Sequence, residues 1–257
     1  MKLKNISVAS YLTLIYLFFY IPIGVLIIYS FNQAQYSLLW HGFSWRWYQE
    51  LFADQSLWLA VWHSLVLGIL SSSLATMVGL FAAVCLYRYR FFGRQLLYGV
   101  LFILILSPEI VMGIALLILF SLIKMPLGFI SLLMAHTTFC IPFVAVTAYS
   151  RLVSVDKYIF EAAKDLGAND WMTLTSIILP LLWPALLAGW LLSFTLSIDD
   201  VMISYFVVGP EFEILPLKIY SMVRVGIKPE INALCTVLFF ITLSCIVMYQ
   251  LLLRKKT

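Results

Sequence analysis

Residues 161–180 read EAAKDLGANDWMTLTSIILP, a polar stretch set between two apolar runs that are each long enough to cross a membrane. Lys164, Asp165, Asn169 and Asp170 would each cost kilocalories at bilayer depth, so a membrane helix cannot run through this segment. Glu161 to Pro180 therefore sits in water, on one side of the membrane, between two spans. The spelling also predicts a shape. Glu161-Ala162-Ala163 followed by Gly167 reads as a short helix with a glycine stop. A second helix follows, ending where Pro180 precedes the next span. A helix–glycine–helix in a loop between spans is a surface built to touch another protein.

Composition places the rest of the chain. With 63% hydrophobic residues, 11% charged residues and a mean hydropathy of +1.03, it fits no soluble globular domain. The apolar runs exceed the ~20 residues that a helix needs to cross a bilayer. Spans are expected near 10–31, 60–87, 96–123, 128–149, 181–208 and 233–253. That predicts an all-α polytopic membrane protein with six helices, one domain over 1–257, and the polar loop at about 150–180. With the amino terminus inside, Lys2, Lys4, Arg88, Arg90, Arg94, Arg151, Lys157, Lys164, Arg254, Lys255 and Lys256 share one side. Arg46, Lys124, Lys218, Arg224 and Lys228 take the other. This bias predicts both termini in the cytoplasm, together with the 161–180 loop. The net charge of +4 is thus a topology signal and not a nucleic-acid footprint. MKLK and the apolar run after it read as a retained first span, because no small-residue cleavage site follows. Cys85, Cys140, Cys235 and Cys245 fall inside apolar spans and read as packed thiols.

Nothing in the chain predicts catalysis. His41, His63 and His136 lie in different segments without metal-ligand spacing, and each reads as a satisfied or interfacial histidine. No GxxxxGK[ST] phosphate loop is present, so the chain does not itself hydrolyse ATP. No bound cofactor or metal is expected. The loop at 32–59 is aromatic, with Trp40, Phe43, Trp45, Trp47 and Tyr48. It reads either as an interfacial belt or as a surface for a soluble partner, with Trp47 near the pore mouth. The loop from Gly209 to about Asn232 holds Pro210, Pro216 and Pro229, which favour a folded or re-entrant path.

Carboxylates inside the bilayer are the informative residues. Glu109 follows Pro108 in the third span, and Asp199 and Asp200 lie in the fifth. Such groups cost ~2.5 kcal/mol or more and face a cavity or a partner. No Lys or Arg lies in the centre of any span, so the acids are either protonated or met by a cation from elsewhere. On one continuous helix Ser193, Ser197, Asp200 and Ser204 would form a single polar stripe, with Asp199 on another face. Tyr16 and Tyr20 offer an aromatic face in the first span, able to attract a desolvated cation.

Glu161, Ala162, Ala163, Gly167, Ile177, Leu179 and Pro180 occupy the signature positions of a known motif. The segment resembles the EAA loop of ATP-binding-cassette importer permeases. Residues 193–234, SFTLSIDDVMISYFVVGPEFEILPLKIYSMVRVGIKPEINAL, are similar to the polyamine branch of that family. The resemblance implies a type I importer permease fold in a bacterial inner membrane. It also implies partners: a second, different permease, an ATPase dimer that holds ATP and Mg, and a periplasmic polyamine-binding protein. In that setting Glu161, Ala162, Ala163, Gly167, Asp170, Ile177, Leu179 and Pro180 couple to the ATPase. Glu109, Asp199, Asp200, Ser193, Ser197, Tyr20 and Trp47 line the path of spermidine or putrescine. The acids would equally suit another small cation, and an ATP-independent secondary transporter is the reading from a different class.

Overall fold

A computed structural model describes residues 2–34, 39–156, 158–226 and 229–254. The side chains of Cys245 and of the basic ends, from Lys2 and Lys4 to Lys255 and Lys256, lie outside what it describes, as do Lys157 and Lys228. Twelve α-helices are described: α1 (Lys2–Tyr29), α2 (Arg46–Ala53), α3 (Gln55–Arg88), α4 (Arg94–Leu106), α5 (Glu109–Leu122) and α6 (Phe129–Val153). They continue with α7 (Tyr158–Asp165), α8 (Asp170–Thr173), α9 (Leu179–Asp199), α10 (Met202–Val207), α11 (Leu215–Val225) and α12 (Pro229–Arg254). A π-helix, Leu174–Ile178, joins α8 to α9. The chain divides into two compact units, one of residues 1–58 with 219–257 and the other of Leu59–Lys218.

Among the described residues, four helical stretches are long and apolar enough to cross a membrane: Tyr11–Tyr29, Gln55–Arg88, Phe129–Val153 and Asp170–Asp199. Two expected spans differ from this picture. The third is not a straight helix, because α4 and α5 meet at an angle of 116° around Ser107-Pro108. Proline lacks the N–H that would carry the helix through. The fifth was expected at 181–208 but runs from Asp170 to Asp199 and ends at Asp200, whose ψ of 121° is extended. Pro180 is accordingly no stop. The i→i+5 bond from the Leu179 N–H to the Leu174 carbonyl widens the helix just ahead of the proline, and the chain continues. The α12 helix is described as far as Arg254, with its apolar described part at Pro229–Ser244.

The second unit is built around α6 and α9. Leu132, Ala135, Cys140, Val144, Ala148 and Leu152 on α6 are buried, with Leu182 and Leu186 on α9. Small residues let the backbones approach. A Cβ at Gly79 on α3 would stand 2.8 Å from that of Val144, and one at Gly189 would stand 3.4 Å from the Val144 Cα.

Past α10 the chain turns back under the start of α6. Ser131 Oγ donates to the Val207 carbonyl at 2.8 Å, and a Cβ on Gly209 would fall 2.2 Å from the Leu127 carbonyl oxygen. Backbone cannot yield as a flexible side chain can. Gly209→Ala is expected to cost about 1–3 kcal/mol by overpacking, read as a lower melting midpoint in detergent. An unchanged midpoint would mean the two backbones are not in contact.

In the first unit the aromatic loop is folded around Asn32. Its side-chain carbonyl accepts the His41 N–H at 2.9 Å, its amide donates to the Leu39 carbonyl at 2.8 Å, and its own carbonyl accepts Trp47 Nε1 at 2.7 Å. Phe31 stacks on Phe43 at 5.1 Å, with Trp45 edge-on at 5.0 Å.

Candidate functional site

The 158–180 segment is a helix stop followed by a restart. α7 ends in a Schellman turn, in which the Gly167 N–H bonds the Lys164 carbonyl at 2.9 Å and the Ala168 N–H bonds the Ala163 carbonyl at 2.9 Å. Gly167 takes φ +83°, and nothing lies within 4 Å of where its Cβ would be. The glycine is required by backbone conformation, not by crowding. Asn169 restarts the chain by accepting the Met172 N–H on its side chain at 2.7 Å. Ala163 is buried within its own chain, whereas Ala162 and Glu161 are exposed. Tyr158, Leu166, Trp171 and Met172 present apolar surface to solvent. Asp170 fastens the loop to the end of α3 through Arg88 Nη2 and through the Tyr89 hydroxyl at 3.2 Å. Partial desolvation, with help from Asp170, raises the Tyr89 phenol above its ordinary pKa. Ile177 lies in the π-helix and Leu179 and Pro180 open α9, so α8, the π-helix and α9 form one continuous rod from the loop into the span.

A second feature lies at two helix breaks. Glu109 is the first residue of α5, Asp199 the last of α9, and Asp200 stands between α9 and α10. α5 packs on α10 at close range: a Cβ at Gly113 would come 2.7 Å from Phe206 Cδ2 and 3.3 Å from Ile203 Cα. This brings Glu109 within electrostatic reach of both aspartates. Glu109 and Asp199 are exposed. No ion pair among the described residues includes either of them.

Asp200 behaves differently. It is 6% exposed, and its oxygens accept the Ile203 N–H at 3.2 Å, the Ser204 N–H at 2.8 Å and Ser204 Oγ at 2.7 Å. It caps the short α10 helix. The single stripe expected for Ser193, Ser197, Asp200 and Ser204 is therefore not one face of one helix, because the break at Asp200 interrupts the helical period. Nor does Asp200 lack an intrachain partner, since His136 Nε2 lies 3.5 Å from its Oδ2. His136 also contacts Ser204 Oγ at 2.8 Å through Nε2 and Ser197 Oγ at 2.7 Å through Nδ1. Ser71 on α3 donates to Ser197 Oγ at 3.1 Å. Ser193 is buried, and its hydroxyl has no partner among the described residues.

Tyr16 and Tyr20 are exposed on α1, with ring centroids 6.4 Å apart. Trp47 is 1% exposed, so among the described residues the aromatic side chains of this loop open to a partner are Trp40, Phe43 and Trp45. Among the described residues no group of three or more His, Cys, Asp or Glu could hold a metal ion.

Residues 75–255 match the family described as the binding-protein-dependent transport system inner membrane component. The chain belongs to this family. It is a multi-pass inner-membrane transport component of the ATP-binding-cassette importer permease kind. It is 53% identical over 248 residues to the spermidine/putrescine transport system permease protein PotC of Escherichia coli (strain K12), covering 96% of this chain and 94% of that one. It is 41% identical over 231 residues to the putrescine transport system permease protein PotI of the same strain, covering 86% of this chain and 81% of that one. In three dimensions it resembles a chain of a bacterial ABC transporter involved in the import of the acidic polysaccharide alginate. The TM-score is 0.74 at 16% identity, covering 100% of this chain and 97% of that one. At that identity the likeness concerns the fold alone.

Proposed function

We propose that this chain is a permease subunit of an ATP-driven importer of polyamines, of the spermidine and putrescine class. The observation that carries the reading is that Glu109 and the Asp199–Asp200 pair stand at two helix breaks joined by the packing of α5 on α10, with Glu109 and Asp199 exposed and in no ion pair among the described residues. Discontinuous helices at membrane depth are tolerated where they line a cavity or pack on protein. A polyamine crossing there exchanges hydration for charge-assisted hydrogen bonds to the carboxylates. Two exposed acids bind such a cargo loosely enough to release it. The names of the similar permeases support the same cargo class.

The chain in this reading is one permease domain with six spans and both termini in the cytoplasm. A second permease completes the pore, and a periplasmic polyamine-binding protein delivers cargo. An ATPase dimer holds ATP and Mg2+. Helices α7 and α8, with their exposed Tyr158, Leu166, Trp171 and Met172, seat on one ATPase. The continuous rod from α8 to Asp199 links that seat mechanically to the exposed acids. Closure of the ATPases then shifts the pore between its two states only by the differential stability it supplies.

The test is co-purification from detergent, with partners identified by mass and ATP hydrolysis measured with and without polyamine-loaded binding protein. The reading expects stimulation by spermidine- or putrescine-loaded protein. An assembly stimulated only by an uncharged or anionic solute would contradict it. Gly167→Leu forces a side chain into the left-handed region at a cost of ~1–2 kcal/mol. It is expected to leave the subunit assembled while lowering stimulated hydrolysis. Wild-type stimulation in that variant would make the loop a mere connector.

A further inference from the structure

His136 is a buried titratable side chain, 1% exposed, that neither the loop nor the exposed acids use. With Asp200 ionised and the ring neutral, its surroundings give one direction to each hydrogen bond it makes. An ionised Asp200 carboxylate can only accept, and Ser204 Oγ donates to it at 2.7 Å. A hydroxyl has one proton. Ser204 Oγ must therefore accept at its other contact, the 2.8 Å approach of His136 Nε2, which carries the ring hydrogen. A neutral imidazole has one N–H, so Nδ1 accepts the Ser197 proton at 2.7 Å. Ser197 Oγ in turn accepts from Ser71 at 3.1 Å. The series Ser71, Ser197, His136, Ser204, Asp200 runs one way, from α3 through α9 and α6 to the break before α10. An imidazolium would reverse the Nδ1 contact, and the Ser197 proton would then have to turn to Ser71 Oγ, whose own proton can turn to the Gly68 carbonyl at 3.3 Å.

We propose that His136 is the positioning residue for Asp200: held as the neutral Nε2–H tautomer, it fastens the α9–α10 break and so sets where Asp199 and Glu109 meet a cationic cargo. The link to Asp199 is direct, since that residue adjoins the capped aspartate. The link to Glu109 runs through Ile203, which lies three residues past Asp200 and faces Gly113 on α5. The link to cargo rests on the cation-path reading above, whereas the tautomer does not.

The experiment uses the assembled complex in lipid nanodiscs with 15N-histidine. Subtracting the spectrum of a His136→Gln complex isolates the His136 ring. A protonated Nε2 with a bare Nδ1 is expected, and a protonated Nδ1 or an imidazolium overturns the assignment. In proteoliposomes driven by ATP, His136→Leu is expected to lower spermidine uptake by about tenfold or more. His136→Gln, which keeps a donor within reach of Ser204, is expected to stay within about threefold of wild type. Equal loss in both variants, or no loss in the leucine variant, overturns the positioning role. If the leucine variant does not assemble, the tautomer still decides. If the wild-type complex moves no polyamine, the cargo reading fails, while the nitrogen spectrum still tests the hydrogen-bond series.

Discussion

Replacing Glu109 with Gln in the assembled importer lowers polyamine uptake by about tenfold or more, equivalent to ~1.4 kcal/mol of transition-state stabilisation. The substitution keeps size and removes charge. Glu109 is exposed at the first turn of α5, is unpaired among the described residues and is within electrostatic reach of Asp199 and Asp200. Each charge-assisted hydrogen bond to an ammonium group is worth ~1.5–3 kcal/mol, so the loss of one accounts for the expected effect. Asp199→Asn is expected to act in the same direction, because Asp199 is the other exposed acid. Polyamine affinity of the binding protein is expected to be untouched, since delivery precedes the permease. Initial uptake rates at equal permease levels check this, and wild-type rates in both variants would remove the acids from the path.

Trp47→Ala lowers the melting midpoint of the complex and reduces basal and stimulated ATP hydrolysis together. Truncating a fully buried tryptophan costs about 3–5 kcal/mol. Trp47 is buried, donates Nε1 to the Asn32 carbonyl at 2.7 Å and carries the Arg46 guanidinium 5.3 Å from its ring centroid. The loop it anchors holds the exposed Trp45 and Phe43. Trp45→Ala, by contrast, is expected to spare the midpoint and lower only the stimulation by loaded binding protein. An unchanged midpoint in Trp47→Ala would contradict its structural role.

The helical class and the glycine stop were legible in the sequence, because each is a local signal, and so was the presence of three acids in apolar runs. Gly167 announced its turn by being glycine, and Glu109 announced itself as a charge in an apolar run. Other features depended on the chain meeting itself. Pro180 reads as a stop until the π-helix upstream is seen to make room for it. Asp200 extends a serine stripe until its own side chain is found capping the next helix. His136 is an ionisable residue in a 25-residue apolar helix, where its burial carries the same kind of cost as that of the acids. Its partners at 197 and 204 gave no sequence sign of proximity. Trp47 looked like belt or docking surface because its anchor, Asn32, lies 15 residues earlier.

ATP-driven uptake of radiolabelled spermidine into proteoliposomes holding the full complex tests the central claim most directly. The claim predicts uptake that needs ATP, the binding protein and this chain, is competed by putrescine but not by neutral solutes, and falls by about tenfold or more in the Glu109→Gln complex. Spermidine entry that continues without ATP hydrolysis, or at the wild-type rate in that variant, would contradict it.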